Sequence, residues 1–421
     1  MKKFSLVLFT LILVFNSLSS FAYPIKDELH IYVNVKDFGA IGDGSTDDSK
    51  AIKDAAAKAY TESKVLYFPT GTYVLSETIK FSFDNSKVLT LQGGIDATIV
   101  TPDSFEGDMF VSDMEYNFNI KDLKFIHNGK QGQILRTHYL NVVNSSFEST
   151  EQNRSTLVTF AGSNCRVIEC TFNTKNEFAY ALDYLRQPNK ISINDYITDN
   201  TFTGVGNGVR IGALSMDGRP EGLKINGNIF ENSGSRQIEV ESILHLDISD
   251  NTFKNCSGTA IGVSPKELGV HGLFVTGNNI QAKESAIEVF NAGAAVIHIG
   301  DNYINNTGIG VRMTKGFGDV HINNNLFKDI SEVAIRLDNA YEIFITENVI
   351  KDSKESMYIT GKKGNFVIED NEYTKKANIN IEGYSYKDPS TSVNIYVVLS
   401  IVFAVIIVVL LAILIALLRK K

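Results

Sequence analysis

The sequence predicts an all-β solenoid: one long stack of short strands, opened by a helix and followed by an apolar C-terminal segment. Three observations predict it. A pattern of the form apolar-x-x-Asn-x-apolar recurs eight times in register. Apolar and polar residues alternate on both sides of each Asn, which is strand periodicity. The intervals of 23 to 28 residues leave no room for a helix within a repeat.

The repeat is centred on Asn200, Asn228, Asn251, Asn278, Asn302, Asn325, Asn348 and Asn371. Three residues before each stands Ile or Val, from Ile197 to Ile368. Two residues after stands Phe, Ile or Tyr, from Phe202 to Tyr373. A second alternating stretch follows about ten residues on, as in Gly208–Ile211, Gln237–Val240 and Ala286–Val289. A coil of this size cannot bury its apolar side chains alone, so stacking supplies the core. The asparagines are assigned to structure, at a corner where Asn tolerates a left-handed backbone, with amides bonded from coil to coil. A leucine-rich repeat also fits Ile243–Phe253, but the second strand per repeat and the β-branched bias oppose it.

Composition narrows the function. Of 421 residues 43% are apolar and 21% charged, enough for a core and too ordered in pattern for wholesale disorder. A net charge of −8 argues against a nucleic-acid partner. Three cysteines make no disulfide scaffold, and Cys165, Cys170 and Cys256 read as small buried residues, with a Cys165–Cys170 bridge left open. Trp is absent, and Asn outnumbers even Gly.

The ends predict location. Residues 1–22 combine Lys2-Lys3, an apolar run and Ser20-Phe21-Ala22, the pattern of a cleaved signal peptide. Residues 393–418 hold an almost unbroken Ile/Val/Leu/Ala run, long enough to span a bilayer, and Arg419-Lys420-Lys421 form a cytoplasmic basic tail. Between them the expected organisation is an N-terminal strand, turn and capping-helix module (23–64), repeats (65–383) and a linker (384–392). The expectation is an exported, membrane-anchored ectodomain.

The N-terminal module carries Val33-Asn-Val-Lys-Asp-Phe-Gly-Ala-Ile-Gly-Asp-Gly-Ser-Thr-Asp-Asp, then an amphipathic helix with Ala51, Ile52, Ala55, Ala56 and Ala59 on one face, capped by Thr46 or Asp47. Val65-Leu-Tyr-Phe-Pro-Thr-Gly-Thr-Tyr-Val-Leu follows as strand, turn and strand. Val35–Ala57 with Tyr67–Tyr73 resembles the entry module of the pectate-lyase-superfamily proteins (pectate lyase 3 type), shared with family 28 glycoside hydrolases and phage tailspikes. The resemblance implies a right-handed single-stranded parallel β-helix, pectin-lyase-like, and a carbohydrate ligand. Asp43, Asp47 and Asp48 are read as turn and cap residues rather than metal ligands. The polygalacturonase signatures are missing; their nearest approach is Val270-His271-Gly272.

Alternation places an outward column at Asp183, Arg210, Glu239, Gly262, Glu288, Arg312, Arg336 and Tyr358, and a second at Glu241, Ser264, Phe290, Thr314 and Asp338. The resemblance implies that this face is the sugar groove. Long loops after Asp183 (184–190), Arg210 (214–222) and Gly262 (264–272) put its centre between those coils. Asp183, Arg210, Glu239 and Glu241 are the catalytic candidates. Asp183 and Glu239 should lie roughly 9.6 Å apart, and Glu239 and Glu241 roughly 6.6 Å apart, near the window for inverting hydrolysis. For β-elimination, Arg210 with flanking acids that hold a Ca²⁺ fits instead. As a bland alternative, Arg210 pairs with Glu239 across strands. Glu288, Arg312, Arg336, Tyr358 and His271 are substrate-binding candidates. Arg312 beside Arg336 needs an anion, from a uronate or an acidic neighbour. The expected activity is a polysaccharide lyase, hydrolase or epimerase on an acidic glycan, or a non-catalytic glycan-binding surface protein.

Overall fold

The computed structural model describes residues 31–386, except 82–87, 113–116, 186–192, 213–219, 266–268, 292–294 and 315–318. The expected signal peptide, membrane helix and basic tail, and all but three residues of the linker, lie outside the described residues. Among the described residues no helix is long and apolar enough to cross a membrane.

The chain winds as a stack of coils whose strands pair in parallel with the coil before and the coil after. A typical coil has three strands, such as Leu223–Asn226, Ile229–Phe230 and Arg236–Val240. Stacking turns these into three faces, each a parallel sheet running the length of the molecule. On the first, Ile197, Ile225, Ile248, Val275, Ile299, Ile322, Ile345 and Ile368 lie in register. On the third, Leu182, Val209, Ile238, Ile261, Ile287, Val311, Ile335 and Met357 do the same. These side chains are fully buried or nearly so and form one continuous core.

On the second sheet the inward position holds rings. Phe125, Phe147, Phe172, Phe202, Phe230 and Phe253 stack with centroids 4.5–5.2 Å apart and planes within 12° of parallel. Offset stacking of this kind adds to the area each ring buries. In the C-terminal coils the strands fuse into runs of 12, 21 and 21 residues. They turn within the run at Asn306, Asp329, Asn339 and Asp352, all at positive φ.

The asparagine ladder forms as expected between the first and second sheets. Each Nδ2 from Asn200 to Asn348 donates to Oδ1 of the next ladder residue at 2.9–3.0 Å. That same Oδ1 accepts the backbone N–H of the preceding Asn, and Nδ2 also reaches a carbonyl of the previous coil. The left-handed corner, however, belongs to the residue before the Asn. Asp199, Gly227, Asp250, Gly277, Asp301, Asn324, Glu347 and Asp370 have φ of 55–67°. With the turn made one residue earlier, the Asn side chain is free to point inward along the stack. Cys170 occupies the ladder position one coil before Asn200 and donates its N–H to Asn200 Oδ1 at 2.9 Å. Cys165, Cys170 and Cys256 are buried free thiols, and no bridge joins Cys165 to Cys170.

The helix Ser49–Glu62 buries Ile52, Ala55, Ala56, Ala59 and Tyr60 over the N-terminal end of the stack. It begins one to two residues later than the expected cap implies: Asp48 stands at the N-cap, and its carboxylate goes elsewhere. It accepts Ile41 N–H at 2.6 Å and Gly42 N–H at 3.2 Å, tying the Gly-Asp-Gly turn to the helix start. Asp47 takes Ser49 N–H at 3.0 Å. Asp43 folds back on Ser45 and Thr46, whose N–H groups hold its carboxyl far below the usual range.

Candidate active site

The register of the third sheet puts Arg136, Thr159, Asp183, Arg210, Glu239, Gly262, Glu288, Arg312, Arg336, Tyr358 and Asn378 in one outward column. Phe290, Thr314 and Asp338 align two residues further on. Adjacent members face each other across one strand spacing, close enough for opposite charges to pair.

Arg210 pairs with Asp183, not with Glu239 as the cross-strand alternative held. Its Nε and Nη2 each lie 2.6 Å from an Asp183 carboxylate oxygen, a bidentate geometry. Thr156 Oγ1 adds a bond to Asp183 at 2.9 Å, and the Asp183 side chain is only 7% exposed. The Asp183 contact, reinforced by the charges of Asp183 and Glu241, raises the Arg210 pKa further. Glu241 is itself buried at the strand end. The Arg210 guanidinium also sits over the Tyr180 ring, 4.6 Å from its centroid.

Glu239 is engaged from elsewhere. The Tyr180 hydroxyl donates to it across two coils, and Arg236 Nε lies 3.8 Å away. Burial, then the contact with Glu239, pushes the Tyr180 hydroxyl well above the ordinary tyrosine range, so it stays protonated. Neither Tyr180 nor Arg236 was legible as a site residue, because neither stands in the column. Arg236 reaches in from three residues before Glu239. Its Nη1 lies where a Cβ on Gly262 would be, 1.7 Å from that ideal position. The glycine gap in the column is thus filled by a borrowed cation.

Further along, Glu288 faces Arg312 at 3.4 Å and accepts Thr259 Oγ1 at 3.4 Å. Arg336 pairs with Asp338 at 3.2 Å and lies over the Tyr358 ring at 5.2 Å. The Arg312–Arg336 repulsion is therefore relieved by acidic neighbours of the chain itself. Arg236 Nη1 and Arg312 Nε remain buried without a hydrogen-bond partner. His271 is exposed on the first-sheet strand Val270–Thr276, away from the column.

Beside the Tyr180 end of this cluster lies a cleft of about 480 Å³, lined by Glu177, Phe178, Tyr180, Val205, Asn207, Ser233–Ser235 and Ser257. A second hollow of about 660 Å³ continues it past Glu151, Lys175 and Gly204. Phe178 and Val205, 56% and 47% exposed, offer apolar surface at its mouth, with Arg154 stacked on Phe178 at 4.2 Å. Another hollow, at the ladder corner (about 610 Å³, near Asp96 and Asp122), lies away from these residues. Parts of the three long loops fall outside the described residues; Tyr184, expected to open one of them, is instead buried in the strand Tyr180–Leu185. Among the described residues no three His, Cys, Asp or Glu converge to hold a metal. Asp183 is spent on Arg210 and Thr156 and Glu239 on Tyr180, so these two carboxylates do not make a Ca²⁺ donor set.

Fold and register together define a right-handed parallel β-helix, and residues 191–339 match the model of the right-handed β-helix region. Residues 32–262, over half of the chain, match the rhamnogalacturonase A/epimerase, pectate-lyase-like family, and the chain belongs to it. A pre-neck appendage protein of Bacillus phage B103 is 40% identical over 78 residues, 18% of this chain and 8% of that one. A probable glucan endo-1,3-beta-glucosidase of Arthroderma benhamiae is 44% identical over 59 residues, 12% of this chain and 7% of that one. The chain thus spans less than a tenth of the curated relatives it matches. The catalytic unit of a GH87 alpha-1,3-glucanase from Streptomyces thermodiastaticus shares the fold, with a TM-score of 0.57 at 15% identity over 88% of this chain and 72% of that one.

Proposed function

We propose that this protein binds an acidic polysaccharide along the third face of its β-helix and modifies it by β-elimination or epimerisation. The observation that carries the reading is the Tyr180–Glu239–Arg210–Asp183 cluster, which gathers three coils beside an elongated cleft. Both reactions begin by removing the proton next to a uronate carboxyl, which needs a base, an acid and a cation. Arg210 supplies the cation, Glu239 takes a proton, and Tyr180, held protonated, gives one. Asp183 fixes the guanidinium plane. Inverting hydrolysis, with Asp183 and Glu239 as opposed carboxylates, is less favoured because Asp183 is closed by its bidentate partner. The part-exposed Arg236 and Arg312 side chains favour an anionic ligand.

The signal-like residues 1–22 and the apolar 393–418 support export and a C-terminal tether, with the ectodomain outside and 419–421 in the cytoplasm. Recovery of the full chain in a carbonate-washed membrane fraction is the expected outcome; release into the soluble fraction would remove the tether.

The test is to incubate residues 23–390 with polygalacturonate, polymannuronate and neutral glucans, with Ca²⁺ and with chelator. Unsaturated ends or inverted uronates are expected from a polyuronate, with Tyr180→Phe and Glu239→Gln each slowing the reaction by about 100-fold or more. A second reading, a non-catalytic glycan-binding surface protein, is favoured by the full neutralisation of the column charges. Retained polyuronate binding with no product of any kind would establish it.

A further inference from the structure

The first sheet carries a second outward feature that the cluster does not use. Asp247, Phe274, His298, His321 and Phe344 occupy successive coils in register. His245, on the Asp247 strand, and Phe274, His298, His321 and Phe344 form an unbroken run of rings, centroids 4.9, 6.3, 6.4 and 4.6 Å apart. Three of the chain's seven histidines stand here, and the rings are half-buried or exposed. A row of small residues, polar except for Gly300, runs alongside: Asn226, Ser249, Thr276, Gly300, Asn323 and Thr346.

We infer that this strip is a platform for an uncharged polysaccharide chain lying parallel to the helix axis, about one sugar per coil. The exposed parts of the Phe and His rings pack against the C–H groups of sugars, and the polar row meets hydroxyls. One ring on every coil, with the strands themselves about 4.8 Å apart, offers each successive sugar an aromatic contact. Asp247 Oδ1, Ser249 Oγ and Asn323 Oδ1, flanking the rings, are buried without a hydrogen-bond partner. Such unspent acceptors mark the polar row as incompletely satisfied by the chain itself.

The charges around the strip exclude a uronate. Lys224 is paired with Asp247 at 3.7 Å, and Asp319 holds His321 Nε2 at 2.8 Å. Burial and the neighbouring His321 lower the His298 pKa, which keeps that ring uncharged. Gly300 lets it lie close, since a Cβ there would stand 2.9 Å from His298 Nε2. The platform therefore differs in ligand chemistry from the charged third face, and it stands whether or not the cluster is catalytic.

The test is affinity electrophoresis of the full chain, held in a mild neutral detergent, through gels containing hydroxyethyl cellulose, soluble β-1,3-glucan or polygalacturonate. At least one neutral polymer should retard the wild type. Phe274→Ala with Phe344→Ala should weaken that retardation about tenfold, while Phe274→Tyr with Phe344→Tyr preserves it and reports that the fold survives. Tyr180→Phe should leave it unchanged. Equal retardation of the alanine variant, retardation by polygalacturonate alone, no retardation by either neutral polymer, or retardation only with added Zn²⁺ would each overturn the proposal.

Discussion

Asp195 opens a first-sheet strand yet is 1% exposed, with the Tyr184 hydroxyl and the Cys165 N–H (2.6 Å) donating to it. Burial pushes its carboxyl up to about 7 despite those donors. A carboxyl raised above its unfolded value of 3.8 makes the folded state bind the proton more tightly. Its contribution is complete below about pH 4 and is lost as pH rises through about 7. Asp195→Asn should therefore flatten the fall in Tm between pH 5 and 7.5, gaining most at the upper end; identical slopes in the two proteins would contradict this. At the same scale, Gly262→Ala must displace the Arg236 head from the column. The stability change should be below about 1 kcal/mol, since the lost contact is a part-exposed pair, while polysaccharide turnover falls. Alternation alone made the column legible down to single residues. Tyr180 and Arg236 escaped because a side chain reaching diagonally across coils leaves no mark in a period-two pattern, and Asp195 because burial of an acid depends on neighbours far along the chain.

The ladder is where sequence and structure agree most closely, because one fixed offset sets both corner and core. The division of labour within the corner was not legible: two adjacent residues, often Asp-Asn, share it, and either tolerates positive φ. The structure separates them, and a paired substitution measures the separation. Asp250 turns the chain at φ 57°, so Asp250→Gly should be tolerated within about 0.5 kcal/mol. Asn251→Ala removes the acceptor of the Asn228 N–H and the donor to Ile225 and Ser249 carbonyls, all buried. Each orphaned group costs about 1–3 kcal/mol, so a loss of several kcal/mol is expected in denaturant melts. The reverse ranking of the two variants would refute the assignment. The phenylalanine stack was legible as an apolar position but not as a stack, since ring orientation is set by the coil above and below.

Across the whole molecule, a repetitive stack divides its faces by chemistry. The core is shared, the third face is a ladder of opposed charges with one borrowed arginine, and the first carries rings. Nearest-neighbour stacking makes stability a sum of coil and interface terms, so the helix Ser49–Glu62 is needed to close the apolar end it covers. The fold was legible because every coil repeats the same instruction. The reaction was not, because it depends on which charges remain unspent after the column neutralises itself. The most direct measurement is the NMR spectrum of polygalacturonate and polymannuronate after incubation with residues 23–390 in D₂O. Removal of the proton beside the carboxyl predicts either unsaturated sugar signals or deuterium at that carbon, with both lost in Glu239→Gln. An unchanged polyuronate spectrum, or a signal that survives Glu239→Gln undiminished, would contradict the account.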